Sequence, residues 1–129
     1  MSDVRATPTP GSSPLIVHSH LRWDYVWQRP QQLLSRFARS RAVLFVEEPV
    51  FVHDLGAAGL DVTLPCAHLH RVIPRLPDRL RGSSFEAATA VRSLLRQLTS
   101  DGGALAGMFD HPVQWFYTPL PAPVMVDAF

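Results

Sequence analysis

The chain has 129 residues, 47% of them apolar, and a formal charge of +1. That is one domain able to bury a real core, which excludes wholesale disorder. The near-zero charge excludes a strong electrostatic footprint for nucleic acid or a membrane surface. All twelve basic residues are Arg, which excludes P-loop lysine and Schiff-base chemistry.

Residues 1–14 read as a leader, and Ala6 to Pro14 is made of Pro, Thr, Ser and Gly, the composition of a disordered segment. It lacks the basic-then-apolar order of a secretory signal. No run approaches the roughly 20 apolar residues of a membrane span, so the expected location is the cytoplasm. The domain proper is expected over residues 15–129.

Leu15 to His18 predicts a short buried strand. Pro30 suits the first turn of a helix, and Leu33, Leu34, Phe37 and Ala38 follow at helical spacing. Ala42 to Val46 is a second continuous apolar run, ending in Glu47, Glu48 and Pro49. Strand, helix and strand in about 33 residues make one βαβ unit. Near-continuous apolar strands predict a parallel sheet covered on both faces, a Rossmann-like α/β fold.

Asp54 to Gly59 reads as a loop. Leu60 to Leu64 and Leu69 to Ile73 predict short strands interrupted by Pro65 and Pro74, and Pro74 to Gly82 a turn-rich connection. The lone cysteine, Cys66, excludes an internal disulfide or a Cys-cluster metal site and reads as a buried, inert thiol. Ser83 or Ser84 can cap a helix running to about Ser100, with an apolar stripe of Phe85, Ala88, Val91, Leu94, Leu95 and Leu98, stopped by Gly102 and Gly103. Val113 to Tyr117 predicts another strand, closed by Thr118 and Pro119, and Val124 to Val126 a last one. A final strand with no helix to cover it predicts that the chain is the front piece of something longer.

Chemistry concentrates between the first strand and the first helix. His18, His20, Arg22, Trp23, Asp24, Trp27, Gln28, Arg29 and Gln31 crowd one connection. Turns ordinarily use Gly, Pro, Asn, Asp and Ser, so this composition predicts a ligand surface. Parallel sheets bind ligands beyond the carboxyl ends of their strands. The ends here carry His18, Ser19 and His20, then Glu47 and Glu48, then Thr118. They are expected to gather along one rim over the start of the first helix, where free N–H groups and Arg22 and Arg29 suit an anionic or sugar-phosphate ligand.

Each residue also has a plainer role. Trp23, Tyr25 and Trp27 can pack the loop on the sheet, Asp24 can pair with Arg22 or Arg29, and Gln28 and Gln31 can cap backbone groups. One of Glu47 and Glu48 is expected to face the site and the other solvent or a helix end. His68, His70, Arg92 and Arg96 read as surface residues. His18 and His20, with Glu47, Glu48 or His53, offer a metal-hydrolase alternative. A dinucleotide-binding Gly pattern and a nucleophile elbow are both absent from the sequence.

The run Ser19 to Leu33, SHLRWDYVWQRPQQL, followed by Val43 to Pro49, VLFVEEP, resembles the N-terminal region of a bacterial glycosyltransferase family with the GT-B fold. Val72 to Pro77 and Trp115 to Pro119 extend the resemblance loosely over most of Leu15 to Asp127. It implies a retaining hexosyltransferase of cell-surface polysaccharide or glycolipid assembly, with this chain as the acceptor-side Rossmann-like domain. It also implies a glycan or lipid-linked acceptor, and a nucleotide-sugar co-substrate held by a second, C-terminal domain. No further cofactor is implied, and peripheral membrane association stays open. The cleft residues carried over are His20 as a polar contact or proton acceptor, Arg22 and Arg29 as anion or acceptor contacts, Trp23 as a stacking platform, and Asp24, Gln28, Glu47 and Glu48. The chain alone is expected to transfer no sugar. A non-catalytic glycan- or partner-binding module is the second alternative.

Overall fold

A computed structural model describes residues 13–20, 23, 29–54, 56–118 and 121–129, the side chains of residues 29–31 excepted. Strands β1 (Leu15–His18), β2 (Val43–Val46), β3 (Val50–Val52), β5 (Leu69–Pro77) and β6 (Val113–Phe116) are mutually parallel, and β4 (Gly59–Cys66) runs antiparallel to β5. Helices α1 (Arg29–Phe37) and α2 (Ser84–Thr99) flank the sheet, and a short helix α3 (Ala122–Met125) packs on α2. The result is the α/β, Rossmann-like arrangement that the apolar strands predict.

Strand alternation divides the core into two layers. Leu15, Val17, Val43, Phe45 and Leu69 pack with Leu34 and Ala38 of α1. Ile16, Leu44, Val46, Val72 and Leu76 pack with Ala87, Val91 and Leu95 of α2. Period-two side chains point to opposite faces, so each uninterrupted apolar strand feeds both layers at once.

Strands β2 and β3 form one interrupted strand beside β5. Val46 lies opposite Val72 and Val50 opposite Arg75. Three residues, Glu47 to Pro49, therefore face only Ile73 and Pro74. This extra residue is a bulge, and it reverses the side-chain alternation. Val46 and Phe51, an odd number of residues apart, consequently both face the α2 layer. The bulge also explains why Pro74 does not end β5. Glu47 N donates to Val72 O, so the peptide groups of Val72 face β2. Alternation turns the nitrogen of Pro74 to that same side, where the neighbouring strand is already broken. Pro65 likewise falls in the register irregularity of β4 between Thr63 and Cys66.

Several sequence expectations need correction. Leu60 to Leu64 and Leu69 to Ile73 are parts of longer strands forming a hairpin, and Val50–Val52 is a strand. Val124 to Val126 is not a strand: Pro123 sits in the first turn of α3, and Met125 N and Val126 N donate to Pro121 O and Ala122 O at 2.9 and 3.0 Å, the i→i−4 bonds of a helix. On α2 the buried face runs through Ala87, Val91, Leu95 and Thr99. Phe85 is 69% exposed, because six residues before Val91 it lies about 120° round the helix. Cys66 is half-buried, packed against the α1 layer. His68 and His70 are half-buried and engaged: His68 takes φ +66° with Nδ1 2.9 Å from Ala38 O, and His70 meets Phe109 edge-on. Most of the leader lies outside the described residues, but Pro14 already joins the sheet, its carbonyl accepting from Val113 N at 2.9 Å.

Candidate functional site

The strand order places β1 between β2 and β6. The chain moves one way from β1 to β2 and returns to the far side of β1 for β6. Such a reversal opens a crevice beyond the carboxyl ends of the strands. A cavity of about 220 Å³ occupies this place. His18 and Ser19 from β1, Glu47 and Glu48 from the bulge, and Thr118 after β6 all line it. The expected gathering of strand ends is thus present.

Among the described residues, a second helix start lies at the rim. Ser83, Ser84, Ala87 and Ala88 of the α2 start line the cavity; the side chains at the start of α1 lie outside the described residues. Ser83 has extended backbone (φ −140°, ψ 111°), and its hydroxyl accepts from Glu86 N at 3.2 Å, the N-cap geometry that a serine before an apolar run announces. Phe51, Pro49, Val46, Val91, Pro121 and Met125 make the remaining walls largely apolar. Arg81 lies at the rim, but it is committed: Nε and Nη2 both donate to Asp78 Oδ1, at 3.0 and 2.8 Å, and the guanidinium sits 5.0 Å from the Phe51 ring centre.

Glu47 and Glu48 diverge, as a pair of adjacent strand-end residues should. Glu48 is exposed. Glu47 is buried, and its Oε2 accepts from Arg71 Nε at 2.6 Å and from Trp23 N at 2.9 Å. Its carboxylate fastens the β1–α1 connector to β5. Trp23 is itself buried and meets Phe45 edge-on at 5.2 Å, so its ring is engaged in packing against the sheet. His20 is exposed and is not among the cavity residues, which include its neighbour His18. Arg22, Asp24 and Gln28 lie outside the described residues, as does the side chain of Arg29. His53 is paired with Asp54 at 3.4 Å in an exposed turn. Among the described residues, no three His, Cys, Asp or Glu side chains cluster as a metal site.

His18 is a second closely held polar group of the cavity. Its ring stacks on Phe116, with centres 4.5 Å apart and planes 8° from parallel, and Nε2 is 2.8 Å from Gln114 Oε1. Burial pushes its pKa below the ordinary histidine value, opposed in part by the Gln114 hydrogen bond. His70 is lowered too, by burial and then by the charge of His68. A histidine lowered in the folded state binds fewer protons there than in the unfolded chain. Stability is therefore complete above the unfolded value of about 6.5 and falls as pH drops through the folded values. Urea unfolding should give an unchanged free energy from pH 8 to 7 and a declining one below about 6.5. A value that rises on acidification would contradict the burial of these rings.

Gln114, Arg81, Phe51 and the α2 start were not singled out from sequence. The Ser83 cap was a usable signal, since a crossover helix begins where the preceding strand ends. Gln114 carried none, because a single Gln inside an apolar strand has no motif. Among the described residues, no helix is long and apolar enough to cross a membrane. Comparison with models of known families, with curated proteins and with solved structures gives no match.

Proposed function

We propose that the domain is the acceptor-side half of a GT-B glycosyltransferase of cell-surface polysaccharide or glycolipid assembly, and that the switch-point cavity receives a sugar ring of the acceptor. The observation that carries this is the convergence of His18, Ser19, Glu48 and Thr118 on one apolar-walled crevice. A few polar groups set in apolar walls suit a sugar, which presents hydroxyls and an apolar ring face. The resemblance of Ser19 to Leu33 and Val43 to Pro49 supports the same assignment. The donor nucleotide sugar belongs, on this reading, to a second domain. The sequence holds no Gly-rich phosphate loop, and the Arg at the cavity rim is already paired with Asp78.

Calorimetry of the purified chain should show methyl glycosides binding more tightly than nucleoside diphosphates. Incubation with UDP-, GDP- and TDP-sugars, with or without a glycoside, should release no nucleoside diphosphate. Tighter nucleotide binding, or turnover by this chain alone, would contradict the acceptor-side assignment.

A further inference from the structure

We infer that His18 is the residue that accepts the hydrogen bond of a ligand hydroxyl in this cavity, and that Gln114 is its positioning residue; the inference rests on the sugar-binding reading above. The hydrogen bonds determine which ring nitrogen is available. Met125 O is a carbonyl and can only accept, and Gln114 Nε2 donates to it at 2.8 Å. The other end of the Gln114 amide, Oε1, must then accept, and its partner is His18 Nε2 at 2.8 Å. The ring therefore carries its proton on Nε2 and keeps a lone pair on Nδ1. Stacking on Phe116 holds the ring plane.

His18 lines the cavity, so Nδ1 is the ring atom left to meet a ligand there. A neutral acceptor in a mostly apolar crevice selects a donor that brings no charge. Among the described residues, nearby charge does not favour an anion. The exposed Arg81 guanidinium is paired with Asp78, and the first turn of α2 carries Glu86. The Ser83 hydroxyl already takes the N–H of Glu86. Among the described residues, the cavity thus suits a hydroxyl-rich neutral group. Because Gln114 also reaches α3, the same chain of bonds couples the ring's tautomer to the α3 wall of the cavity.

The test is ¹⁵N NMR of the histidine rings at pH 7.5, in the wild-type chain and in Gln114→Leu, with methyl α-glucopyranoside, α-mannopyranoside and α-galactopyranoside added in turn. The wild-type chain should show His18 as the Nε2–H tautomer, and at least one glycoside should move Nδ1 in the direction of an accepted hydrogen bond. In Gln114→Leu the two tautomers should mix and the affinity for that glycoside should fall about tenfold, equivalent to about 1.4 kcal/mol. A wild-type Nδ1–H tautomer overturns the inference whether or not the variant folds. So does a glycoside that shifts other cavity residues and leaves Nδ1 unmoved, an outcome in which the acceptor-side reading survives. No shift anywhere with any of the three overturns both.

Discussion

Glu47→Ala should destabilise the domain by about 3 kcal/mol, the lower end of the cost of breaking a buried ion pair. The Glu47 side chain is 0% exposed and that of Arg71 16%. Alanine removes the acceptor of both Arg71 Nε and Trp23 N, leaving a cation and a backbone donor with poorer partners in a nearly dry place. Arg71 keeps some solvent, which is why the lower end applies. At this chain length the melting temperature should fall by about 10 °C. Glu47→Gln keeps an oxygen for one of the two donors and should cost less. In a double-mutant cycle, Arg71→Met should recover part of the loss, since it removes the half-buried charge that the Glu47 carboxylate balances. The effect reaches the site, because Trp23 anchors the connector that leaves β1 beside His18 and Ser19. A loss below about 1 kcal/mol in urea unfolding would place this pair with ordinary surface ion pairs and contradict its anchoring role.

Gly103→Ala should be the more damaging of two neighbouring glycine substitutions. A Cβ at Gly103 would overlap the carbonyl oxygens of Gln97 and Leu98 and lie 2.7 Å from the Leu98 carbonyl carbon. These are backbone atoms of the last turn of α2, which cannot swing aside as a side chain can. The same turn is tied by Gly103 N to Ser100 O at 2.8 Å and by Leu105 N to Leu98 O at 2.9 Å, and it leads Leu105 and Phe109 into the core. The expected cost is about 3 kcal/mol, the upper part of the overpacking range. Gly102 has φ +87° and open space around it, so Gly102→Ala should cost only the left-handed penalty, about 1 kcal/mol. If the order is reversed, backbone conformation rather than close approach governs this turn. The turn matters for function because α2 supplies one wall of the cavity, and its far end is secured here.

The first βαβ unit was legible because Leu15 to Val17 and Val43 to Val46 are short, uninterrupted apolar runs. Such runs fit a strand buried on both faces and little else. The meeting of His18, Ser19, Glu47, Glu48 and Thr118 followed from one topological rule, that parallel strands end on the same side. What stayed hidden depends on events between strands. The Glu47–Pro49 bulge is visible only when Val46 and Val50 are registered against Val72 and Arg75, and without it Pro74 reads as a strand breaker. That α2 reaches the rim depends on which crossover passes which face; the Ser83 cap marks where the helix starts but not on which face it lies. Val124 and Val126 suggested a strand by propensity, yet Pro121 and Pro123 mark a helix start, and the bonds from Met125 N and Val126 N to the carbonyls four residues back decide between them. Trp23 and Glu47 attracted attention as site residues for their chemistry. Both also hold the connector down, Trp23 through its packing on Phe45 and Glu47 through its two donors, while Glu47 still lines the cavity.

The most direct test of the central claim, that the switch-point crevice is the ligand site, is a backbone amide shift map of the ¹⁵N-labelled chain titrated with the three methyl glycosides. The largest shifts should fall on His18, Ser19, Glu48, Ser84, Ala87 and Thr118. Shifts confined to the hollow at the other end of α2, lined by Arg96, Thr99, Asp110 and His111, or an unchanged spectrum, would contradict it.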